Sequence, residues 1–283
     1  MRNTTGFRRS GRTMLLLGAV TMALAAAACS PAGDTPAAQT RTPTTVPQPD
    51  PDKPGVLLVH GAFADGSSWA GVAEQLQRKG YRVTTAAVPL RGLKSDSAYV
   101  RGILDSLPGK TILVGHSYGG AVITNAAAGS PKAAGLVYVA AFAPDSGESL
   151  GELDGRYDGP ATKITVLHTV VGEAAPELSI AADKFPEYFA QDVPAVQAAV
   201  LAAGQRPISV AAFAEKTDEP AWRTLPSWYL VAADDRMIPP AGQREMARRA
   251  NATVTEHAGS HAIAVSHPDA VVTVIDQAAA GTR

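Results

Sequence analysis

A chain of 283 residues with 46% hydrophobic side chains suits one large domain and a tail rather than two full domains. Its 25 basic and 26 acidic residues leave a formal charge of -1, which gives no basic footprint for nucleic acid and favours a small neutral substrate over a polyanion. The single cysteine excludes an intramolecular disulfide and a cysteine-based metal site.

Arg2, Arg8, Arg9 and Arg12 precede an apolar run from Met14 to Ala28 that is short for a permanent membrane span, the pattern of a cleaved export signal over residues 1–29. Ala26, Ala27 and Ala28 lead into Cys29, a sequence similar to the lipobox of bacterial lipoproteins. On that reading Cys29 is lipidated, and the lipid is the only attachment to a membrane. A conventional secretory signal stays open, as does twin-arginine export through Arg8 and Arg9. Residues 30–54, rich in Pro, Thr, Ala and Asp without apolar periodicity, are expected to be a disordered tether.

From residue 55 to 283, short runs rich in Val, Ile and Leu alternate with helical stretches, the pattern of a mostly parallel sheet covered on both faces. The expected strands are Val56–His60, Tyr81–Val88, Thr111–Gly115, Gly135–Ala141, Trp228–Ala232 and Thr253–Glu256. The expected helices are Ser67–Lys79, Ser97–Ser106, Gly119–Ala128, Pro240–Ala250 and Pro268–Ala279. At about 145–225 the alternation gives way to Pro-punctuated stretches. Phe185–Ala190, Val193–Ala203 and Ser209–Lys216 read as short helices, and Lys163–Val170 as a short strand. The interval is expected to be a helical cap inserted between the sixth and seventh sheet strands, because long ordered insertions are usually functional.

Gly115-His116-Ser117-Tyr118-Gly119 follows an apolar strand and precedes a helical stretch, which is GxSxG in its strand-turn-helix setting. A nucleophile on so sharp a turn needs small neighbours, and the helix that follows favours negative charge at its N-terminus. Upstream, the first strand runs into His60, Gly61, Ala62 and Phe63, a loop placed to offer a backbone N–H to an oxyanion. The two donors are then the amides of Tyr118 and Ala62, with Phe63 as the alternative to Ala62. His60 precedes the nucleophile in the chain and is expected to brace this loop. Asp234 and Asp235 compete for the acid that orients the base at the end of a late strand. His261, in Gly259-Ser260-His261, completes the order Ser, Asp, His, while His257 falls at the strand end. His116 is expected to pack in the elbow and His267 to start the last helix ahead of Pro268. His168 has no evident partner.

From Val56 to Ala279 the chain resembles the α/β hydrolases. HGAFADGSSW, GHSYGGAVI, PSWYLVAADDRMIPP and GSHAIAVSHP resemble the small-ester branch that includes salicylate-ester hydrolases and hydroxynitrile lyases. The resemblance implies an α/β-hydrolase fold with a cap, a Ser117, Asp235 and His261 triad, and an oxyanion hole from Ala62 and Tyr118. It settles the acid on Asp235. Hydroxynitrile lyases of this type carry Lys directly after the histidine, whereas Ala262 stands here, which disfavours cyanohydrin cleavage. Ser117 stands where epoxide hydrolases and haloalkane dehalogenases of the fold use Asp.

These motifs imply hydrolysis of small carboxylic esters through an acyl-enzyme, with no metal or cofactor required. A cofactor-free perhydrolase or haloperoxidase-like enzyme would share the triad, and a ligand-binding protein could retain it without turnover. The ester, its chain length and the oligomeric state are not written in these motifs.

Overall fold

The computed structural model describes residues 47–169 and 175–282. The expected export signal, Cys29 and the expected tether up to residue 46 lie outside the described residues, as does Val170 at the end of the expected insertion strand.

The first half of the domain alternates strand and helix: β1 (Gly55–Val59), α1 (Ala70–Arg78), β2 (Val83–Ala86), α2 (Leu93–Ser106), β3 (Thr111–His116), α3 (Tyr118–Ala126) and β4 (Ala133–Val139). The insertion then contributes α4 (Leu150–Arg156), α5 (Ala161–Ile164), β5 (Thr165–His168), β6 (Glu177–Ile180), α6 (Phe185–Tyr188), α7 (Ala195–Ala203), β7 (Ile208–Ser209) and α8 (Val210–Ala214). The chain closes with β8 (Ser227–Ala232), α9 (Pro240–Arg249), β9 (Thr253–His257), α10 (Ile263–Ser266) and α11 (Pro268–Gly281).

Among the described residues the main sheet has six strands in the order β2-β1-β3-β4-β8-β9, every neighbouring pair parallel. Both faces are covered, so β1, β3 and β8 are buried along their whole length and read as continuous apolar runs. Their side chains still alternate. Leu57, Val59 and Leu113 join the core beneath α3 and the insertion, whereas Val56, Leu58 and Val114 join the core beneath α1 and α11. From β1 the chain builds β2 on one side and β3 on the other, so the loops leaving β1 and β3 flank a topological switch point, where such sheets place their ligands.

The expected strands and helices of the sheet are present, with ends shifted by a few residues. α2 starts four residues before the expected Ser97, at Leu93 after Gly92. Two points differ. The insertion follows the fourth strand of the described sheet, not the sixth, because four strands precede it in the chain. It is also not purely helical: β5, β6 and β7 form a small antiparallel sheet, with Ile208 and Ser209 in a strand where the sequence pattern starts a helix. α4 has no counterpart among the expected helices, although Ser149 and Glu152 close its N-terminus as a capping box.

Candidate active site

Ser117 lies between β3 and α3 with φ +53° and ψ -123°, a conformation that side-chain-bearing residues seldom adopt. The surrounding glycines permit the turn by omission of a side chain. A Cβ on Gly119 would stand 2.4 Å from the Val59 carbonyl oxygen, and one on Gly115 would stand 2.5 Å from the Gly119 oxygen. The elbow is thereby pressed against β1. Tyr118, the first residue of α3, has a backbone N–H without an acceptor in its own helix. Its side chain is anchored away in the core, where the phenol donates to Asp96 Oδ2 at 2.7 Å. Burial pushes the Asp96 carboxyl up, against the opposing effect of this hydrogen bond.

The loop after β1 approaches the elbow so closely that a Cβ on Gly61 would lie 2.6 Å from Ser117 Cβ. His60 braces it. Its Nε2 accepts the Val88 N–H at 3.0 Å, which puts the proton on Nδ1, 2.9 Å from the Gly61 carbonyl oxygen. Burial lowers the His60 pKa and favours this neutral form. Phe63, at φ +61°, donates its amide to the Arg206 carbonyl at 3.0 Å. That amide is therefore engaged with the insertion.

Asp235 and His261 come together from the loops after β8 and β9. His261 Nδ1 lies 2.8 Å from Asp235 Oδ2, and both side chains are at most 1% exposed. Asp235 is held on all sides. Oδ1 accepts the Met237 and Ile238 amides at 2.7 and 3.0 Å, and Oδ2 also accepts Gln243 Nε2 at 2.8 Å. Asp234, the other candidate, is exposed and instead ties its loop to Gly259, with Oδ2 accepting that amide at 3.1 Å.

His116 links the elbow to the imidazole. Its ring centroid is 4.7 Å from that of His261, and its Nε2 donates to the His261 carbonyl at 2.8 Å. Burial holds the His116 pKa well below the usual histidine range, and the neighbouring His261 adds to the effect, so His116 remains neutral. The Ser117 hydroxyl has no hydrogen-bond partner among the described residues, so the structure brings Ser117 beside the His261 loop without a bond between them.

The other histidines serve locally. His257 and His267 have ring centroids 4.6 Å apart, and His267 precedes Pro268 at the start of α11. His168 does have a partner, contrary to expectation: its Nε2 is 2.6 Å from Ser179 Oγ on the adjacent strand of the insertion.

Phe189, between α6 and α7, packs edge-on against His261 with centroids 4.9 Å apart. It also lines a cavity of about 140 Å³ with Phe63, Phe185, Val200, Leu201 and Val265. Asp65, Ser67 and Ser68 add polar groups on one side. Gln243, Asp192 and Phe189 support the site without belonging to any motif of the sequence. Phe189 and Asp192 act on residues distant in the chain, and Gln243 on Asp235, with which it shares no motif.

A parallel sheet with a strained serine after one strand and a buried Asp-His pair after two later ones defines the hydrolase class of this architecture. Residues 56–274 match the alpha/beta hydrolase family, and the chain belongs to it. It is 27% identical over 251 residues to the alpha/beta hydrolase nvfD of Aspergillus novofumigatus, covering 80% of this chain and 97% of the relative. Over 107 residues it is 36% identical to a carbendazim hydrolyzing esterase of Nocardioides, covering 33% of this chain and 44% of the relative. Among solved structures, a pyrethroid hydrolase from Sphingobium faniae superposes with a TM-score of 0.67 at 24% identity, over 80% of this chain and 97% of that one, which speaks to the fold.

Proposed function

We propose that this protein is a serine esterase of small carboxylic esters. Ser117 attacks the carbonyl, His261 accepts its proton, and Asp235 fixes the imidazole tautomer and stabilises the imidazolium. The amides of Ala62 and Tyr118 receive the oxyanion, each contributing roughly 3 kcal/mol to the transition state. His261 returns the proton to the leaving alcohol, and water then releases the acid by the same route in reverse. The observation that carries the reading is the buried 2.8 Å contact between His261 Nδ1 and Asp235 Oδ2, beside a serine held at φ +53°.

The esterase and hydrolase names of the relatives support the choice of ester hydrolysis over the other reactions this scaffold supports. The deciding experiment treats the purified protein and its Ser117→Ala variant with a fluorophosphonate probe and a panel of activated short-chain esters. The parent is expected to be labelled at Ser117 and to turn over esters, and the variant to do neither. Labelling at another residue, or turnover that survives the substitution, overturns the assignment. Export with lipidation at Cys29 belongs to the same reading and is tested by whether Cys29→Ala releases the protein from the membrane fraction.

A further inference from the structure

Three residues of the insertion, Phe189, Gln191 and Asp192, bond to the two loops that carry Asp235 and His261. The Phe189 carbonyl accepts the Ala262 amide at 2.9 Å, and Gln191 Nε2 donates to the Asp234 carbonyl at 2.6 Å. One oxygen of Asp192, Oδ2, accepts both the Ser260 amide and the Ser266 hydroxyl at 2.9 Å. Ser260 immediately precedes His261, and Ser266 ends α10, which begins two residues after it. A single carboxylate oxygen therefore grips both ends of the segment bearing the imidazole. His267 Nε2 stands 3.5 Å from the same oxygen.

Burial alone would raise the Asp192 carboxyl, but the hydrogen bonds from Ser260 and Ser266 outweigh it and hold the carboxyl below its usual range. The group is charged at neutral pH, and bonds to a charged acceptor are the stronger kind. No residue of the main sheet's own loops supplies this acceptor. The segment holding His261 is completed from the insertion.

We propose that Asp192 is a positioning residue, tying the insertion to the His261 turn and holding the imidazole in register for proton transfer. The proposal rests on the reading of His261 as the base. Asp192 touches no reacting atom. Its removal is felt in the chemical step rather than in substrate binding, because a small displacement of the base reduces the rate steeply.

The test compares the parent, Asp192→Ala, Asp192→Asn and Ser266→Ala as full-length proteins, measuring kcat, KM and the rate of fluorophosphonate labelling. Asp192→Ala is expected to lose about tenfold to a hundredfold in kcat with KM unchanged, and to be labelled more slowly in the same proportion. Asp192→Asn is expected to recover most of this, since its amide oxygen can accept both bonds, and Ser266→Ala to show a smaller loss of the same kind. Parental kcat in both Asp192→Ala and Ser266→Ala, a loss confined to KM, or an asparagine variant no better than alanine overturns the role of Asp192. Absence of labelling in the parent would instead overturn the esterase reading, so the two failures are distinct. If Asp192→Ala does not fold, a parental labelling rate in Ser266→Ala still overturns the proposal.

Discussion

Gln243 and Asp235 share a buried hydrogen bond of 2.8 Å, donated by the amide to the same carboxylate oxygen that faces His261. The amide is itself fixed, its Nε2 donating to the Ile238 carbonyl at 2.7 Å and its Oε1 accepting the Ala232 amide at 3.1 Å. The Asp235 carboxylate is thus oriented from α9 through the same oxygen that meets the imidazole.

Replacing Gln243 by Leu leaves the Ala232 amide and the Ile238 carbonyl without this partner and removes one of the two partners of Asp235 Oδ2. We expect a stability loss of about 1–3 kcal/mol in urea unfolding for each group left unsatisfied. We also expect a fall in kcat without a matching change in KM. Unchanged kcat in the folded variant would show that Asp235 is held well enough by the Met237 and Ile238 amides.

Two glycine substitutions should behave in opposite ways. Gly119→Ala forces a methyl group to within 2.4 Å of the Val59 backbone, and overpacking of that kind costs about 1–3 kcal/mol. Gly102, inside α2, has open space where a methyl group would stand, with nothing within 4 Å, and Gly102→Ala should gain about 0.5–1 kcal/mol from reduced backbone freedom in the unfolded chain. Denaturant midpoints of the pair check both signs.

Asp154 on α4 is buried against Gly159, and burial pushes its pKa from the usual 3.8 to about 6, despite a bond from the Ala161 backbone. The folded chain therefore holds this proton more tightly than the unfolded chain between these values. The Asp154 contribution to stability falls as pH rises through that window. Asp154→Asn should flatten this part of the profile and gain on the parent above pH 6, read from urea midpoints at acidic and neutral pH. An unchanged profile would contradict the shift.

The cavity lined by Phe189, whose ring packs against His261, should set the size of ester accepted. Leu201→Trp narrows it from the α7 side, and a bulky ester should lose roughly tenfold to a hundredfold in kcat/KM relative to a short one. Equal loss for both would place the substrate elsewhere.

The sequence makes the sheet legible because strands buried on both faces leave unbroken apolar runs, as in Val56 to Val59 and Ile112 to Val114. The elbow is legible for a related reason: its glycines are demanded by backbone contacts that admit no side chain. The choice between Asp234 and Asp235 is not readable from local pattern and comes from resemblance. The structure separates them by burial and by which one faces His261. The insertion reads as helical from sequence because β5, β6 and β7 are strands of two to four residues, and Glu177 on β6 pairs with Ser209 on β7 across α6 and α7, too little pattern for a local reading. Asp192 and Gln243 carry no motif at all. Their roles exist only once the loops have met.

The insertion leaves the sheet after β4 and rejoins it at β8, which pairs directly with β4. Transplanting a different cap between these two strands would accordingly preserve strand registry while discarding the acceptor that fastens the final turn. A chimera built this way needs a carboxylate regrafted opposite Ser260 before its exchanged pocket can be judged by rate.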